Sequence, residues 1–443
     1  MIDLLIIIDN PYREYLNLKL LDGCIEKKKL NSRIVSKHLF EDAIIKYKPQ
    51  SVIIPRITAG FKKIFHLSNK YRFNIYLLPC EHGGGDEVRI KSFLVGYENK
   101  DNYILENFKH YKEIKKIFVP SEVYKKVCIE SGLFFENQIL VTGTISSDFW
   151  FEEISECLNK KKNKYSIGIA TSFKSTFFGI NFNTFLDGLL FIKNISDEKK
   201  FSKAIENNIL FQSFEALSFL NLLKIIEKNP EINFSWRPHP QENLKGAKQF
   251  VKKIKNLEIN RDIIPYNWIK DQSLILLNSS TMIYDSFFLK TPSISLVNLI
   301  SDNIKNNLED TKKPLETGQI HNPNSIDEVL EIIQNKNYSK TIKTDKDKML
   351  KVSINNFHFP RKNFAVTSIA EEISKNTNTA TKKKISKLVL NIYADILINL
   401  KMIKAAYSIK YKDISLDKVL NPLNIEDRLK TNHFINQIIK KIT

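Results

Sequence analysis

The sequence predicts an α/β protein with two parallel-sheet domains that face a cleft, because strand patterns and helix patterns alternate throughout. Short runs rich in aliphatic and aromatic residues are followed by helical patterns in both halves of the chain. Such alternation is typical of parallel sheets covered by helices on both faces. The length of 443 residues allows two domains of ordinary size and one additional segment.

The first domain is predicted over residues 1–160 and contains six short β-rich runs. Ser121 is a typical helix N-cap and Gly132 a typical helix end, which together predict a helix between the last two runs. We expect strands at Leu4–Ile8, Arg33–Val35, Ser51–Ile54, Ile75–Leu78, Ile117–Val119 and Ile139–Val141.

The second domain is predicted over residues 161–340 and follows the same plan. A capping box formed by Ser325 and Glu328 predicts a helix start before Ile326–Gln334. We expect strands at Tyr165–Ala170, directly before Arg237, at Leu274–Leu277 and at Ser293–Val297, and further helices at Ser196–Lys228 and Gln241–Ile254.

The end of the chain differs in character from both domains. Residues 341–376 are predicted to be a charged connector and a helix, Phe364–Ile373, that returns to the first domain. Residues 377–443 are rich in lysine with recurring leucine and isoleucine, which predicts a helical appendage. Its role is left open between a packing arm and a helix that contacts a partner protein or a membrane surface.

The charge balance limits the classes of partner. The chain carries 68 Lys and Arg against 49 Asp and Glu, a formal net charge of +19. The excess is mostly lysine spread along the chain, whereas proteins that read nucleic-acid bases concentrate arginine and aromatic residues in one patch. The charge therefore favours acidic substrates or an anionic membrane face, and excludes nucleic acid as the expected partner.

Cysteine spacing and hydropathy predict a cytoplasmic protein. The four cysteines lack the paired spacing of a zinc site or a disulfide framework. The apolar run Met1–Ile8 is short and has no basic leader, which predicts a first strand and not a signal peptide. No continuous apolar run reaches about 18 residues, so we expect no spanning helix. Peripheral contact with the cytoplasmic face of the inner membrane is left open.

The strongest candidate site lies in the second domain, where an apolar strand runs into Arg237-Pro238-His239-Pro240. Proline restricts itself and the residue before it, so this turn is rigid. Groups just past the carboxyl end of a parallel strand face the crevice in which ligands bind. We expect Arg237 and His239 to bind a phosphate or carboxylate there, with a rigid surface turn as the alternative.

A second polar stretch in the same domain, Ser279-Ser280-Thr281, follows the run Leu274–Leu277 at the start of a helical pattern. Unpaired backbone N–H groups and the helix dipole favour an anion at such a position. Serine and threonine also cap helices without any ligand, so capping alone is the alternative.

Three further candidates follow predicted strands. Glu81 precedes three consecutive glycines; its carboxylate could act as a general base, unless this stretch is only a solvated surface loop. Asp148 lies in the first turn of a predicted helix, where the helix dipole alone also explains an aspartate. Lys174 follows the first strand of the second domain and is a candidate substrate contact.

These motifs resemble those of bacterial GT-B glycosyltransferases of surface-polysaccharide synthesis. The similarity is closest to surface carbohydrate biosynthesis proteins related to the Kdo (3-deoxy-manno-octulosonate) transferases and covers roughly residues 50–375. It is carried by Arg237-Pro238-His239-Pro240 with Glu242 and Asn243, and by Ser279-Ser280-Thr281 with Asp285.

The resemblance implies a GT-B fold and a role for each matching residue. The nucleotide and phosphate of a CMP-linked donor would be held by His239, Ser279, Ser280 and Thr281, and Asp285 would contact the ribose. Asp148 would be the nucleophile of a retaining double displacement and Glu81 the acid/base. The chain departs from the family at Ile145-Ser146-Ser147, where relatives carry proline and arginine, and at Asp285, where glutamate is usual.

The function that the resemblance implies is transfer of Kdo or a related acidic sugar from a CMP donor to a glycan or lipid-linked glycan. Arg237, His239 and the helix start at Ser280 would stabilise the leaving phosphate without a metal or cofactor. One alternative is a CDP-glycerol or CDP-ribitol phosphotransferase. Another is a catalytically silent scaffold that binds glycan or other assembly proteins.

Overall fold

The computed structural model describes most of the chain. The described residues are 2–57, 61–79, 90, 110–158, 165–171, 198–239, 248, 251–278, 280–307, 318, 321–377 and 425–442. Most of the predicted helix Gln241–Ile254 lies outside them. The same holds for five candidate site residues, whose roles stay predictions: Glu81, Lys174, Glu242, Asn243 and Ser279.

The chain forms two compact units. The first comprises Met1–Asp148 and Asn355–Thr443, and the second comprises Phe149–Ile354. The chain therefore changes unit twelve residues earlier than the predicted limit at 160. Packing explains the difference, because the Phe149 ring stacks on Tyr266 and the Trp150 ring on Phe288, with centroids 4.3 and 4.5 Å apart, inside the second unit.

The sheet of the first unit has six strands in the described part of the chain, and every neighbouring pair is parallel. All residues of the first strand are buried, as expected when helices cover both faces of a sheet. All six predicted runs are confirmed as strands. They are β1 (Leu4–Ile8), β2 (Ser32–Ser36), β3 (Ser51–Ile54), β4 (Asn74–Leu77), β5 (Lys116–Val119) and β6 (Ile139–Val141), in the order β2-β1-β3-β4-β5-β6.

Helices connect these strands, and the predicted helix between the last two begins and ends where expected. The Ser121 hydroxyl accepts the N–H of Tyr124 at 3.3 Å, and Gly132 follows the helix with a φ of +66°. The described helices of this part are α1 (Pro11–Lys27), α2 (Phe40–Tyr47), α3 (Lys62–Tyr71), α4 (Glu122–Glu130) and α5 (Ile145–Asp148).

The second unit contains a five-stranded parallel sheet in its described part. One of its strands, Leu257–Ile259, was not predicted, because three residues with a central glutamate are too short to show a strand pattern. The strands are β7 (Ser166–Ala170), β8 (Asn233–Arg237), β9 (Leu257–Ile259), β10 (Leu274–Leu277) and β11 (Ser293–Ser295), in the order β11-β10-β7-β8-β9.

The capping box in the second unit is present at the predicted helix start. The Ser325 hydroxyl accepts the N–H of Glu328 at 3.1 Å, and the Glu328 carboxylate accepts the N–H of Asn324 at 2.8 Å. The described helices between residues 149 and 357 are α6 (Glu152–Ser155), α7 (Glu198–Glu227), α8 (Pro265–Lys270), α9 (Met282–Phe288), α10 (Asp302–Asn307), α11 (Ile326–Asn335), α12 (Tyr338–Thr341) and α13 (Lys346–Phe357).

Helix α7 is more apolar than the sequence analysis allowed. Its segment Ile205–Glu227 has a mean hydropathy of 1.5 and is long and apolar enough to cross a membrane. No other helix among the described residues is both long and apolar enough to do so. Scattered polar residues interrupt the run, so it is not continuous in the sequence. Length and composition alone do not place a helix in a membrane. One face of α7 packs in the core of the second unit through Phe219, Leu222 and Ile225.

The end of the chain packs against α1 of the first unit. Helix α14 (Ala365–Lys375) buries one apolar face there, and helix α15 (Ile425–Ile442) lies against α1 as well. Gly23 makes the second contact possible, because a Cβ atom at this position would lie 2.0 Å from Cδ1 of Ile439. Glycine in a helix interior costs about 1 kcal/mol, and here it allows two helices to approach closely.

Candidate functional site

Three strands of the second sheet end side by side. Ala170 at the end of β7 pairs with Arg237 of β8 on one side and with Leu277 of β10 on the other. Because the strands are parallel, the residues that follow them leave the sheet at the same edge. Thr171, Arg237 and Asn278 therefore lie at the carboxyl edge, which is where open α/β sheets bind their ligands.

The guanidinium of Arg237 is held by oxygen atoms that carry no charge. Nη2 donates to the backbone carbonyl of Asp262 at 2.7 Å, and Nη1 donates to the side-chain oxygen of Asn260 at 3.4 Å. The guanidinium carbon lies 5.9 Å from the centre of the Trp268 ring. In the described part of the chain no carboxylate forms a salt bridge with Arg237. Its positive charge is thus oriented but not neutralised.

Electrostatics also favour an anion beside Arg237. Burial lowers the pKa of Arg237 to about 10, although the nearby carboxylates of Asp262 and Asp285 act in the opposite direction. The group keeps its proton at neutral pH, since this pKa is about 3 units above 7. A lowered pKa in a buried cation means that the charge is costly to hold, and a bound phosphate would offset that cost.

A turn after β9 positions Arg237 and adds a second cation. The Asn260 side chain accepts the N–H of Asp262 at 2.9 Å, and the Asp262 carboxylate accepts the N–H of Ile264 at 3.0 Å. Arg261 lies between them and contributes to the lowered pKa of Arg237. Sequence reasoning missed Arg261, because it did not predict the short strand that places this turn at the sheet edge.

His239 lies two residues beyond the end of β8 and is partly buried. Its backbone carbonyl accepts a hydrogen bond from Nη2 of Arg261 at 3.4 Å. The Arg237-Pro238-His239 turn and the Asn260–Asp262 turn are therefore in contact. The structure brings His239 and Arg237 to the same edge, as the sequence predicted.

Two buried polar residues at this edge were not singled out in the sequence. Thr171 follows β7 and is 4% exposed, and its hydroxyl has no hydrogen-bond partner among the residues described. Asn278 follows β10 and is 1% exposed. Buried polar groups are nearly always hydrogen-bonded in folded proteins. An unpaired hydroxyl at the carboxyl edge of the sheet is therefore a candidate ligand contact.

At the start of α9 the N-cap residue Thr281 makes no side-chain cap hydrogen bond, and Ser280 forms only a local turn contact. The Ser280 hydroxyl accepts the N–H of Met282 at 3.3 Å, and Thr281 is exposed immediately before the helix. The helix has seven residues, so its dipole is small. The roles of Ser280 and Thr281 in holding a phosphate stay predictions.

Asp285, on α9, also lies near Arg237. Its carboxylate accepts the indole N–H of Trp150 at 2.8 Å. Burial raises the pKa of Asp285 to about 7, while the hydrogen bond from Trp150 and the charge of Arg237 act to lower it. The carboxyl group therefore changes charge close to neutral pH. Its predicted contact with a ribose hydroxyl stays a prediction.

Asp148 has a different environment, inside the first unit. The carboxylate is fully buried and forms a salt bridge with Nη2 of Arg361. It also accepts the N–H groups of Ala365 and Val366, at 2.8 and 2.9 Å, at the start of α14. These contacts explain the buried carboxylate without a substrate. The predicted role as a nucleophile stays a prediction, and it would require these contacts to be broken.

The surroundings of Asp148 are built to hold Arg361. A Cβ atom on Gly143 would lie 2.8 Å from Cζ of Arg361, and Gly143 has a φ of +80°, so glycine is required there. Burial raises the pKa of Asp148 to about 6, against the opposite effects of Arg361 and the two backbone N–H groups. Burial also lowers the pKa of Arg361.

The expectation of transfer without a metal relied on the absence of an Asp-x-Asp pair, which is wrong: one occurs at Asp345-Lys346-Asp347, in the second unit. The Asp345 carboxylate accepts the N–H of Lys348 at 2.9 Å, so it caps the first turn of α13. Within the described ranges no group of three or more His, Cys, Asp or Glu side chains is arranged to hold a metal ion.

The architecture matches solved structures of GT-B type. The wall teichoic acid polymerase TagF gives a TM-score of 0.53 at 12% identity, over 84% of this chain and 88% of that chain. The fold is GT-B-like. The prediction of two Rossmann-like parallel-sheet domains with a helical C-terminal region is thereby confirmed.

Two other similar structures were found at lower TM-scores. UDP-GlcNAc 2-epimerase from Methanocaldococcus jannaschii, in complex with UDP-GlcNAc and UDP, gives 0.47 at 15% identity, over 84% of this chain and 99% of that chain. The S. aureus MnaA–UDP structure gives 0.46 at 14% identity, over 87% and 99%. No family model and no curated protein matches the sequence.

Replacing Arg361 by alanine tests whether the Asp148 pair holds the first unit together. The substitution leaves a buried carboxylate without its cation, which typically costs 3–5 kcal/mol. We expect Arg361→Ala to lower the free energy of unfolding by about that amount in urea titrations followed by circular dichroism. Lys362→Ala, at the exposed neighbouring position, is the control and is expected within about 0.5 kcal/mol of wild type. Equal stability of both variants contradicts the assignment.

Replacing Asp285 by asparagine tests the raised pKa of this group. The folded-state pKa of about 7 exceeds the ordinary 3.8, so the folded protein holds the proton more tightly and stability falls as pH rises from about 4 to about 7. Asparagine removes the charge and still accepts the Trp150 N–H. We expect Asp285→Asn to be more stable than wild type at pH 8, by on the order of 1–3 kcal/mol, and equally stable at pH 4.

The control for Asp285→Asn is Glu258→Gln, on the exposed side of β9. Its melting temperature should follow that of wild type at every pH. A stability difference between Asp285→Asn and wild type that is the same at pH 4 and pH 8 would show that burial does not perturb this carboxyl group.

Proposed function

We propose that this chain is a GT-B-type glycosyltransferase of bacterial surface-polysaccharide synthesis. The proposed reaction transfers Kdo or a related acidic sugar from a CMP-linked donor to a glycan or lipid-linked glycan. The GT-B-like fold supports the general class, and the Arg-Pro-His-Pro motif supports the donor. The observation that carries the proposal is the oriented, unneutralised guanidinium of Arg237 at the carboxyl edge of the second sheet.

The chemistry of transfer requires a group such as Arg237. The bond between the anomeric carbon and the phosphate oxygen of CMP breaks, and its electron pair stays on the phosphate. The acceptor oxygen forms the new bond to the anomeric carbon and gives up its proton to a base. Preorganised donors at the phosphate stabilise the charge that develops there. Arg237 and Arg261 would supply guanidinium N–H groups, and Thr171 a hydroxyl.

The carboxylates have separate roles in the proposal. Glu81 is the proposed acid/base, as the family resemblance implies. Asp148 as a nucleophile would give retention, but its carboxylate holds Arg361 and the start of α14. Direct attack by the acceptor hydroxyl, with Glu81 as base, would invert the anomeric centre and leave Asp148 in place. The stereochemistry of the product therefore reports which carboxylate reacts.

Location follows from the substrates in this proposal. CMP-linked sugars are cytoplasmic, and a lipid-linked acceptor lies in the inner membrane. We propose that the protein acts in the cytoplasm with peripheral contact at the inner membrane, alone or with other assembly proteins. The net charge of +19 supports attraction to an anionic membrane face.

The second candidate is a phosphotransferase that uses CDP-glycerol or CDP-ribitol. Its support is the likeness in fold to the wall teichoic acid polymerase TagF, at a TM-score of 0.53. The same Arg237 site would then hold a pyrophosphate instead of a single phosphate. The two candidates differ in the donor that the protein binds.

Calorimetric titration with CMP tests the proposed donor site. A charge-assisted hydrogen bond contributes about 1.5–3 kcal/mol, so we expect Arg237→Gln to weaken CMP binding by roughly 10–100-fold. The charge-matched control is Lys255→Gln, an exposed position near β9, and its CMP affinity should equal that of wild type.

The same titration separates the two candidates. Binding of CMP that depends on Arg237 supports the glycosyltransferase. Binding of CDP-glycerol without binding of CMP rejects it in favour of the phosphotransferase. Equal CMP affinity in wild type and Arg237→Gln shows that the guanidinium is not part of the donor site.

A further inference from the structure

The carboxyl edge of the first sheet carries a cluster of charged side chains that none of the sequence motifs covers. Asp9 follows β1, Lys37 follows β2, and Arg56 lies two residues after β3. Strand β1 lies between β2 and β3 in the sheet. The two cations therefore reach the same carboxylate from the two neighbouring strands.

Asp9 holds both cations side by side. Lys37 Nζ contacts Oδ1 of Asp9, and Arg56 Nη2 contacts Oδ2 of the same carboxylate. The Asp9 side chain is only 6% exposed, whereas Lys37 and Arg56 are 35% and 36% exposed. The negative charge is thus buried beneath the two positive charges. The cations remain accessible to solvent and are ordered within a few ångströms of each other.

A third cation is held in the same way at the start of α1. The Glu14 carboxylate accepts the N–H of Asp9 at 2.8 Å and lies 3.5 Å from Nη2 of Arg13. Glu14 is 2% exposed and Arg13 is 28% exposed. Helix α1 begins at Pro11, so the positive end of its dipole lies at this edge and adds to the field of the cations.

The cluster places its cations toward solvent and its carboxylates beneath them. Among the described residues, Arg13, Lys37 and Arg56 contact two buried carboxylates, Asp9 and Glu14. His38 adds no positive charge at neutral pH, since burial and the charge of Lys37 lower its pKa. Surface ion pairs contribute only about 0–1 kcal/mol to stability, so folding alone gives little reason to order three cations here.

The geometry points to an oxyanion-binding site formed by Lys37, Arg56 and Arg13, which takes a phosphate or carboxylate group. Arginine forks and an ammonium group are the side chains that bind these oxyanions best. Because Asp9 and Glu14 already order the cations, a ligand pays little additional side-chain entropy on binding. Assigning the oxyanion to the glycan acceptor rests on the proposed function, whereas the binding itself does not.

Phosphorus NMR titration with inorganic phosphate tests the site directly. The titration uses Arg237→Gln protein, so that the proposed donor site does not contribute. In this background we expect Lys37→Gln and Arg56→Gln each to weaken phosphate binding by roughly tenfold, as for the loss of one charge-assisted hydrogen bond. Lys63→Gln is the matched control, because Lys63 is an exposed lysine of the same unit that pairs with Glu41. Its phosphate affinity should be unchanged.

Two further measurements identify the oxyanion and control for misfolding of the variants. Competition of gluconate with phosphate identifies a site that takes carboxylates, and absence of competition identifies a phosphate site. Arg56→Lys keeps the charge beside Asp9, and we expect it to restore part of the phosphate affinity that Arg56→Gln loses. Equal phosphate affinity in Lys37→Gln, Arg56→Gln and Lys63→Gln proteins overturns the inference and leaves a structural ion cluster.

Phosphate binding at this cluster and CMP binding at the Arg237 site can be tested independently. CMP affinity, measured with Arg237 intact, should be the same in Lys37→Gln and wild type. Loss of phosphate binding in Lys37→Gln supports the oxyanion site even if the wild-type protein fails to bind CMP. If CMP binding depends on Lys37, the cluster is part of the donor site and the inference of a separate site is wrong.

Discussion

The strands of a parallel sheet all end at the same edge, and this constraint organises both candidate sites of the protein. Residues far apart in sequence lie at one edge because each ends or follows a strand, as Thr171, Arg237 and Asn278 do in the second unit. Asp9, Lys37 and Arg56 meet for the same reason in the first unit. The long aliphatic runs that form the strands are therefore also what positions the polar chemistry.

The two edges use charge differently. Arg237 is held by a carbonyl and an amide oxygen, which orient the guanidinium without neutralising it. Lys37 and Arg56 are held by the carboxylate of Asp9, which neutralises part of their charge and orders both. The arrangement around Arg237 suits tight binding of a single phosphate. The arrangement around Asp9 suits a weaker contact with an oxyanion. Burial raises the pKa of Asp285 to about 7, so the charge near Arg237 in the second unit depends on pH.

Sequence patterns predicted the architecture well, because buried parallel strands appear as continuous aliphatic runs. Helix starts were also recognisable, since Ser121 and Ser325 are N-cap residues. The pattern failed where elements were short. Strand β9 has three residues, and missing it also hid Arg261 and the turn that holds Arg237. The environment of Asp148 could not be predicted, since its partner Arg361 lies 213 residues away in the sequence. A local sequence pattern predicts where a residue lies on its own helix or strand. It does not predict which residues a distant segment of the chain places beside that residue.

The most direct test of the account is hydrogen exchange of the full chain with and without CMP. If the carboxyl edge of the second sheet binds the donor phosphate, CMP should slow exchange in the segments 233–239 and 257–262, around Arg237 and Arg261. Protection should disappear in Arg237→Gln protein. Slowed exchange confined to other segments, or none at saturating CMP, would contradict the claim that this guanidinium holds the leaving nucleotide.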